Sequence, residues 1–280
     1  MVEFVSTVRG RQLGAELRAH MEAAGFDGVQ CARILGWSES RLSRILTGKF
    51  SPSEIDVASL LAILGIFGQE RDRLVQMAAQ LPSSRWPHDE YEQILTTLRG
   101  EACRIFEFDW VVPDLLRTDQ YDGAIRERSA ALLPAQRGER PVPALFDRLR
   151  PPEGVLYVHE DALHLPVGGW QVLRDQLYHL LRLAIRTNIT IRVVPGSAGA
   201  HAGLAGACCL FESVDWPPVV AVREAVAGYL YEEPAEVGAY ARVFTALDTV
   251  SLRQSESRTL IRNTATLVSQ KCDTSMSPGE

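Results

Sequence analysis

Residues 27–49 read DGVQCARILGWSESRLSRILTGK, a pattern typical of two short helices joined by a tight turn. Asp27 and Ser38 are residue types that cap helix N-termini, and Gly36 lies at the predicted turn between the helices. Apolar residues recur at helical spacing through both segments. They predict the buried side of the pair, formed by Val29, Ala32, Ile34, Leu35, Leu42, Ile45 and Leu46.

The second predicted helix carries short hydroxyls and arginines on its polar side, at Ser40, Arg41, Ser43 and Arg44. A helix of this composition fits the DNA major groove, where hydroxyl and guanidinium groups contact base edges and phosphates. The alternative is an αα-hairpin within a helical core whose polar side faces water. This segment by itself does not decide between the two.

The flanking sequence predicts three further helices. Apolar residues at helical spacing run over 13–24 and precede Gly25, which is suited to ending a helix. Pro52 suits the first turn of a later helix, and another amphipathic segment covers residues 69–79. Five short helices within residues 1–80 predict a compact all-α domain.

This domain resembles the lambda-repressor-like (Xre-type) helix-turn-helix family, which favours DNA binding over the hairpin alternative. The resemblance rests on Leu13-Gly14, Leu17-Arg18, Ala24-Gly25, Ala32-Arg33, Leu35-Gly36, Ser38, Ser40, Leu42-Ser43-Arg44-Ile45 and Gly48-Lys49. It implies that the second helix and the segment behind it approach base edges and phosphates. The DNA-binding residues expected from the pattern and the resemblance are Glu39, Ser40, Arg41, Ser43, Arg44 and Lys49.

Two positions depart from the family pattern. Gly28 stands where a phosphate-contacting glutamine is usual, and Leu46 stands where an acidic residue is common. The segment after Gly48 is also poor in positive charge, because Lys49 is its only basic residue before Ser51. Since phosphate neutralisation largely sets DNA affinity, we expect weak binding by a monomer and recognition of double-stranded DNA by a homodimer.

The charge of the chain is unevenly distributed. The 280 residues carry a net charge of −6, with 46% hydrophobic and 23% charged residues, which is typical of an ordinary folded protein. Residues 9–50 hold seven arginines and lysines against four acidic residues, and this surplus of three positive charges leaves nine negative charges on the rest. A locally basic module on an acidic chain fits directed DNA contact and argues against a nucleic-acid coat over the whole chain.

The sequence also bears on the compartment. No apolar run approaches the roughly 18 residues needed to span a bilayer, and the N-terminus lacks a signal-peptide pattern. The five cysteines show no paired spacing, which predicts reduced thiols. We therefore expect a cytoplasmic protein without a membrane partner.

From residue 154 the pattern changes from helical to mixed. The sequence predicts an α+β fold, with the all-α five-helix helix-turn-helix domain at 1–80, a linker at 81–90, a mixed α/β effector or assembly domain at 91–272 and a polar tail at 273–280. In the second domain, strands are predicted at 155–157, 189–194, 207–212 and 219–223, helices at 91–106, 170–186, 234–247 and 256–268, and loops at 133–143 and 196–206.

The C-terminal part resembles the uncharacterised domain that follows a helix-turn-helix in many actinobacterial regulators, among them WhiJ-like and antitoxin-like proteins. The motif residues are Val112-Pro113-Asp114-Leu115-Leu116-Arg117-Thr118 in place of a usual VPGLLQT, then Pro166-Val167-Gly168-Gly169, Val194-Pro195 and Gly199-Ala200-His201-Ala202-Gly203. The resemblance implies transcriptional control, and it leaves open a small partner protein and a small-molecule effector.

Three residues of this part are candidates for ligand contact or acid-base chemistry: His201, His159 and Glu160. A lone loop histidine more often serves structure, and the spacing is far from a zinc signature. No GxSxG, HExxH or CxxC motif is present, so we expect no metal, no cofactor and no catalytic residue. The favoured function is a dimeric, sequence-specific DNA-binding transcriptional regulator. The alternative is a repurposed member whose C-terminal domain binds a metabolite or catalyses a reaction, with a vestigial helix-turn-helix.

Overall fold

The computed structural model describes residues 6–132 and 145–276. The chain divides into two compact units, residues 1–84 and residues 85–280. The loop predicted at 133–143 and the last four residues of the predicted tail lie outside the described residues. Within the described ranges, no helix is long and apolar enough to cross a membrane.

The first unit is all-α, and its five predicted helices are confirmed. They are α1 (Val8–Ala23), α2 (Gly28–Leu35), α3 (Glu39–Leu46), α4 (Glu54–Ile63) and α5 (Gly68–Ala79). Their apolar faces meet in one core, whose most buried members include Leu13, Leu17, Leu42, Leu60, Leu61 and Leu74. The predicted buried face of α2 is partly wrong, because Val29 and Ile34 are 44% and 57% exposed.

Local sequence signals set the ends of α2 and α3. The Asp27 side chain accepts the N–H of Gln30 at 2.7 Å, and the Gln30 side chain accepts the N–H of Asp27 at 3.0 Å, which forms a reciprocal cap. Gly36 ends α2 in the left-handed conformation, with φ of 68°. The Ser38 hydroxyl then accepts the N–H of Arg41 at 3.2 Å and begins α3. The predicted caps and turn are confirmed.

Two glycines let α1 approach the end of α3 backbone to backbone. A Cβ atom built on Gly14 would lie 2.3 Å from the carbonyl oxygen of Leu46, and one on Gly48 would lie 2.6 Å from the amide nitrogen of Arg11. Gly48 also has a φ of 69°, a conformation that L side chains rarely adopt. Any larger residue at either position would push α3 away from α1.

The second unit is built on a seven-stranded sheet in the order β1-β7-β6-β5-β2-β3-β4. Its strands are β1 (Arg85–Pro87), β2 (Arg104–Asp109), β3 (Glu153–His159), β4 (Ile189–Val194), β5 (Cys208–Glu212), β6 (Val219–Arg223) and β7 (Ala227–Tyr231). Strands β2, β3 and β4 are parallel, and the other pairings are antiparallel. The helices are α6 (His88–Glu101), α7 (Asp119–Leu132), α8 (Trp170–Leu183), α9 (Pro234–Val250) and α10 (Gln254–Met276).

The predicted mixed α/β architecture is confirmed, but the start of the unit differs from the prediction. The helix predicted at 91–106 ends at Glu101, and β2 begins at Arg104 in the middle of the sheet. The strand lacks the alternation of apolar and polar residues that would reveal it in the sequence, because both of its faces are covered. Ile105 and Phe108 are fully buried on opposite faces. The segment 81–90, predicted as a linker, contains β1 and the first turn of α6, and β7 was not predicted.

The helices complete the core of the second unit. Phe244 and Leu247 of α9 pack with Phe108 and Tyr157 of the sheet. On α8, an apolar stripe faces the core through the buried Leu173, Leu177 and Leu180, and it continues to Ala184 just after the helix. Leu181, beside this stripe, is half-buried. The next helix along this layer is α10, which packs against both α8 and β4.

A buried ion cluster ties β2 to its neighbours. Asp114, in the short 3-10 helix after β2, pairs with Arg117 at 2.6 Å, with Arg223 of β6 at 3.1 Å and with Arg99 of α6 at 3.2 Å. Its N–H donates to the Glu107 carboxylate at 2.8 Å. Burial, reinforced by the charge of Asp114, raises the pKa of Glu107 from its ordinary 4.5 to about 7.

The raised pKa of Glu107 predicts a pH-dependent stability. Because the folded chain holds this proton more tightly than the unfolded chain, the contribution is fully present below about pH 4.5 and is lost as the pH rises through about 7. We expect Glu107→Gln to become progressively more stable relative to the wild type across that range.

Urea unfolding at a series of pH values measures this difference. Glu153→Gln is the matched control, because Glu153 lies at the exposed start of the neighbouring strand β3, where its side chain is 64% exposed. A Glu107→Gln difference that does not vary with pH would contradict the assignment.

Candidate nucleic-acid interface

The outer side of α3 presents most of the predicted DNA-binding residues together. Glu39, Ser40, Ser43 and Arg44 are exposed, and the opposite side of the helix is anchored in the core by Leu42 and Ile45. Lys49 is exposed three residues after the helix ends. The spacing of these residues on an eight-residue helix, capped by Ser38, produces a single polar face. The predicted site residues are Glu39, Ser40, Arg41, Ser43, Arg44 and Lys49.

Arg44 is placed to reach outward from this face. Its Nε donates to the carbonyl oxygen of Ser40 at 3.4 Å, and its guanidinium carbon lies 5.8 Å from the centre of the Phe50 ring. Within the described part of the chain, no carboxylate pairs with it. The side chain is therefore positioned by weak local contacts while its fork of donors remains open to an acceptor such as guanine.

Arg41 differs from the other five predicted residues because its guanidinium is already engaged. It pairs with Asp56 of α4 at 2.8 Å and lies 4.7 Å above the Trp37 ring. Asp56 also accepts the N–H of Ser53 at 3.0 Å and so caps α4. Arg41 is half-buried and joins α3 to the start of α4, so it has a structural role in addition to the DNA contact predicted from the sequence.

Arg18 lies beside the polar face of α3 and was not among the DNA-binding residues predicted from the sequence. Its guanidinium donates to the carbonyl oxygen of Leu46 at 3.0 Å and places a positive charge at the C-terminus of α3. Arg18 also lines a groove of about 330 Å³ with residues of α2 and α3 and with Thr47. The sequence signal was its place in the Leu17-Arg18 pair of the family pattern.

The groove also shows what Gly28 changes. A Cβ atom at Gly28 would meet only a methyl group of Leu42, at 4.0 Å, so the site has room for a larger side chain. The glycine is therefore not required by packing. Its consequence is that α2 begins without a side chain at the position where the resemblance to Xre-type proteins predicts a phosphate-contacting glutamine.

The three ligand candidates of the second unit are brought together by the fold. His159 is the last residue of β3, and His201 lies in the glycine-rich loop after β4. Their rings are stacked, with centroids 5.6 Å apart and planes at 18°. Trp110, which follows β2, lies 4.6 Å from His159 and 5.7 Å from His201. Glu160 lies beside them and accepts the N–H of Gly196 at 2.7 Å.

Hydrogen bonds hold both imidazoles in place. The Nδ1 atom of His159 accepts the N–H of Asp161 at 3.3 Å, and that of His201 accepts the N–H of Gly203 at 3.1 Å. Burial, and then the neighbouring His159, lowers the pKa of His201. A neutral His201 ring that accepts at Nδ1 carries its hydrogen on Nε2 and is a donor there. Among the described residues, no group of three or more potential ligands could hold a metal ion.

The glycine-rich loop packs closely against this cluster. A Cβ atom on Gly203 would lie 2.5 Å from the Phe108 ring and 2.9 Å from His201. Glycine at this position is therefore required for the loop to pack this closely against the sheet.

Comparisons with known proteins match both units. No curated protein matches the chain, and neither does any solved structure. A family model described as a helix-turn-helix domain matches residues 12–74, which include α2 and α3. A second model, described as a domain of unknown function (DUF5753), matches residues 94–263 and thereby more than half of the chain. The chain therefore belongs to the DUF5753 family and carries a helix-turn-helix domain ahead of the family's defining domain.

Proposed function

We propose that this chain is a sequence-specific DNA-binding transcriptional regulator that acts as a homodimer on double-stranded DNA. The observation that carries the proposal is the exposed polar face of α3, with Ser40, Ser43 and Arg44 on a helix held rigidly by its buried side. The match of residues 12–74 to a helix-turn-helix model supports the same function.

The size of α3 supports action as a dimer. Eight residues at 1.5 Å each make a helix about 12 Å long, which covers only about three to four base pairs. Specific sites need more base contacts than one such helix makes. Two copies place two α3 helices in successive major grooves about 34 Å apart. More specifically, we propose a WhiJ-like or antitoxin-like regulator that acts together with a small partner protein.

Selection from a random-sequence duplex library tests the proposal directly. We expect the full-length chain to enrich a two-fold symmetric site whose halves are about one helical turn apart. The enriched site then serves as the operator in the affinity measurements below. Recovery of no common sequence, with all binding lost at moderate salt, would contradict sequence-specific recognition.

Arg44 is expected to read a base. Replacing it in Arg44→Ala should cost about 1–3 kcal/mol of operator binding and relax the preference at one position of each half-site. Fluorescence anisotropy with single-base operator variants measures both effects. Arg71→Ala, on α5, is the control, because Arg71 is an arginine of the same unit outside α3 whose side chain is 40% exposed. An Arg44→Ala protein with unchanged affinity and base preference would exclude this side chain as the reader.

Arg41 is expected both to contact a DNA phosphate and to hold α3 against α4 through its ion pair with Asp56. Arg41→Ala should weaken binding to all sequences and reduce the salt slope by about one, since one phosphate contact is lost. Asp56→Asn is the matched variant, because it removes the ion pair and keeps the cation. The expected pattern is a smaller salt slope in Arg41→Ala alone. If both variants lose the same affinity with unchanged slopes, Arg41 acts only by holding α3 against α4.

A second candidate function is the binding of a small-molecule effector, or catalysis, by the second unit. The stacked rings of Trp110, His159 and His201 favour it, because they lie at the carboxyl ends of parallel strands, where ligands bind in open α/β sheets. Native mass spectrometry of the purified full-length chain should show a bound small molecule whose occupancy falls in Trp110→Ala but not in Tyr229→Ala. A wild-type chain without any added mass would contradict this candidate.

A further inference from the structure

The outer face of α8 exposes apolar side chains in the second unit. Tyr178 is 47% exposed, and Ile185, two residues beyond the end of the helix, is 72% exposed. Leu181 between them is half-buried. Together with Asp175 and Arg182 these residues line a depression of about 510 Å³. We call these five residues the α8 face: Asp175, Tyr178, Leu181, Arg182 and Ile185.

The α8 face is distinct from the side of the helix that forms the core. Leu173, Leu177 and Leu180 are fully buried on the inner side. Each outer position lies three or four residues from another one, so they form a second stripe along the helix and just past its end. An amphipathic helix of a monomer carries charged and polar residues on this side, and a stripe with a tyrosine, a leucine and an isoleucine indicates a protein contact.

The charges of the α8 face are self-complementary. Asp175 and Arg182 are seven residues apart, which places them on the same side of the helix two turns apart. Within the described part of the chain, Arg182 contacts His179 at 3.2 Å and no carboxylate. Asp175 pairs with Arg174 at 3.0 Å and is still 51% exposed. One end of the face therefore carries a partly exposed carboxylate and the other a guanidinium without a carboxylate partner among the described residues, with Tyr178 and Leu181 between them.

We infer that the α8 face is the surface through which two copies of this chain form a two-fold dimer. When a second α8 packs antiparallel to the first, Asp175 of each copy faces Arg182 of the other, and both ion pairs form at once. The two-fold axis then passes beside Tyr178, so Tyr178 and Leu181 of each copy pack against those of the other. A parallel arrangement would instead place like charges opposite each other.

The neighbouring helix enlarges this surface. A stable homodimer buries about 800 Å² on each copy, and a helix of 14 residues is about 21 Å long, so α8 supplies the centre of the interface and not all of it. The hydroxyl of Tyr178 lies 3.5 Å from the Ser269 hydroxyl of α10. Exposed positions of α10 therefore border the α8 face and provide its polar rim.

This inference rests on the dimer of the proposed function and assigns its surface. Charge exchange tests it in the full-length chain. Asp175→Arg and Arg182→Asp, made singly, each place two like charges across the axis and should raise the dimer dissociation constant about tenfold or more. The double variant restores opposite charges and should return the constant to within about threefold of the wild type. Sedimentation velocity over a concentration series measures all four proteins.

Glu224→Arg, in the exposed turn between β6 and β7, is the control for charge reversal as such. Circular dichroism melting separates a loss of fold from a loss of assembly, and both α8 positions are exposed enough for the variants to fold. Single variants that dimerise like the wild type would overturn the α8 assignment. A wild-type chain that stays monomeric would overturn it as well and would leave this face to a different protein.

DNA binding distinguishes this failure from failure of the proposed function. A half-site duplex, which needs only one α3, should bind the single charge variants with wild-type affinity. The complete operator should bind them at least about tenfold more weakly, because the second half-site no longer adds affinity. A wild-type chain that dimerises but binds neither the half-site nor the complete operator would refute the proposed function while leaving the dimer surface intact.

Discussion

The buried carboxylate of Asp114 holds three elements of the second unit together. It pairs with Arg99, Arg117 and Arg223, so it joins α6, the segment after β2, and β6. Removal of one partner from a buried ion cluster leaves an uncompensated charge and typically costs about 3–5 kcal/mol. Asp114 and Arg117 stand at the two positions where the motif departs from VPGLLQT. The two departures compensate each other, because each supplies the counter-charge that the other needs.

The elements that could be predicted are those whose signals are local. Gly36 and Ser38 determine a turn and a helix start within a few residues of themselves, and with the Asp27 cap and the helical spacing of apolar residues they predict α2 and α3. Strand β2 could not be predicted in this way. Its Glu107 is a charged residue at a buried position of the strand, and its burial is offset by the charges of Arg99 of α6 and Arg117 and by the N–H of Asp114, all outside the strand.

In the candidate sites, too, some features follow from local sequence and others from long-range packing. The exposure of Ser40, Ser43 and Arg44 follows from helical spacing, whereas the ion pair of Arg41 with Asp56 depends on how α4 packs. His159 and His201 were separate candidates in the sequence, and their stacking is a result of the parallel order of β2, β3 and β4, which brings both loops to one edge. Such topology is set by long-range pairing that no short motif encodes.

The backbone contacts at Gly14 and Gly48 position α3 independently of its exposed polar face. Since α1 touches the end of α3 through backbone atoms, the position of the helix does not depend on the side chains that face outward. Exchange of Ser40, Ser43 or Arg44 for other polar residues therefore requires no repacking of the core. The outward-facing residues of such a helix-turn-helix domain can therefore change by surface substitutions alone, while the fold that holds α3 is inherited unchanged.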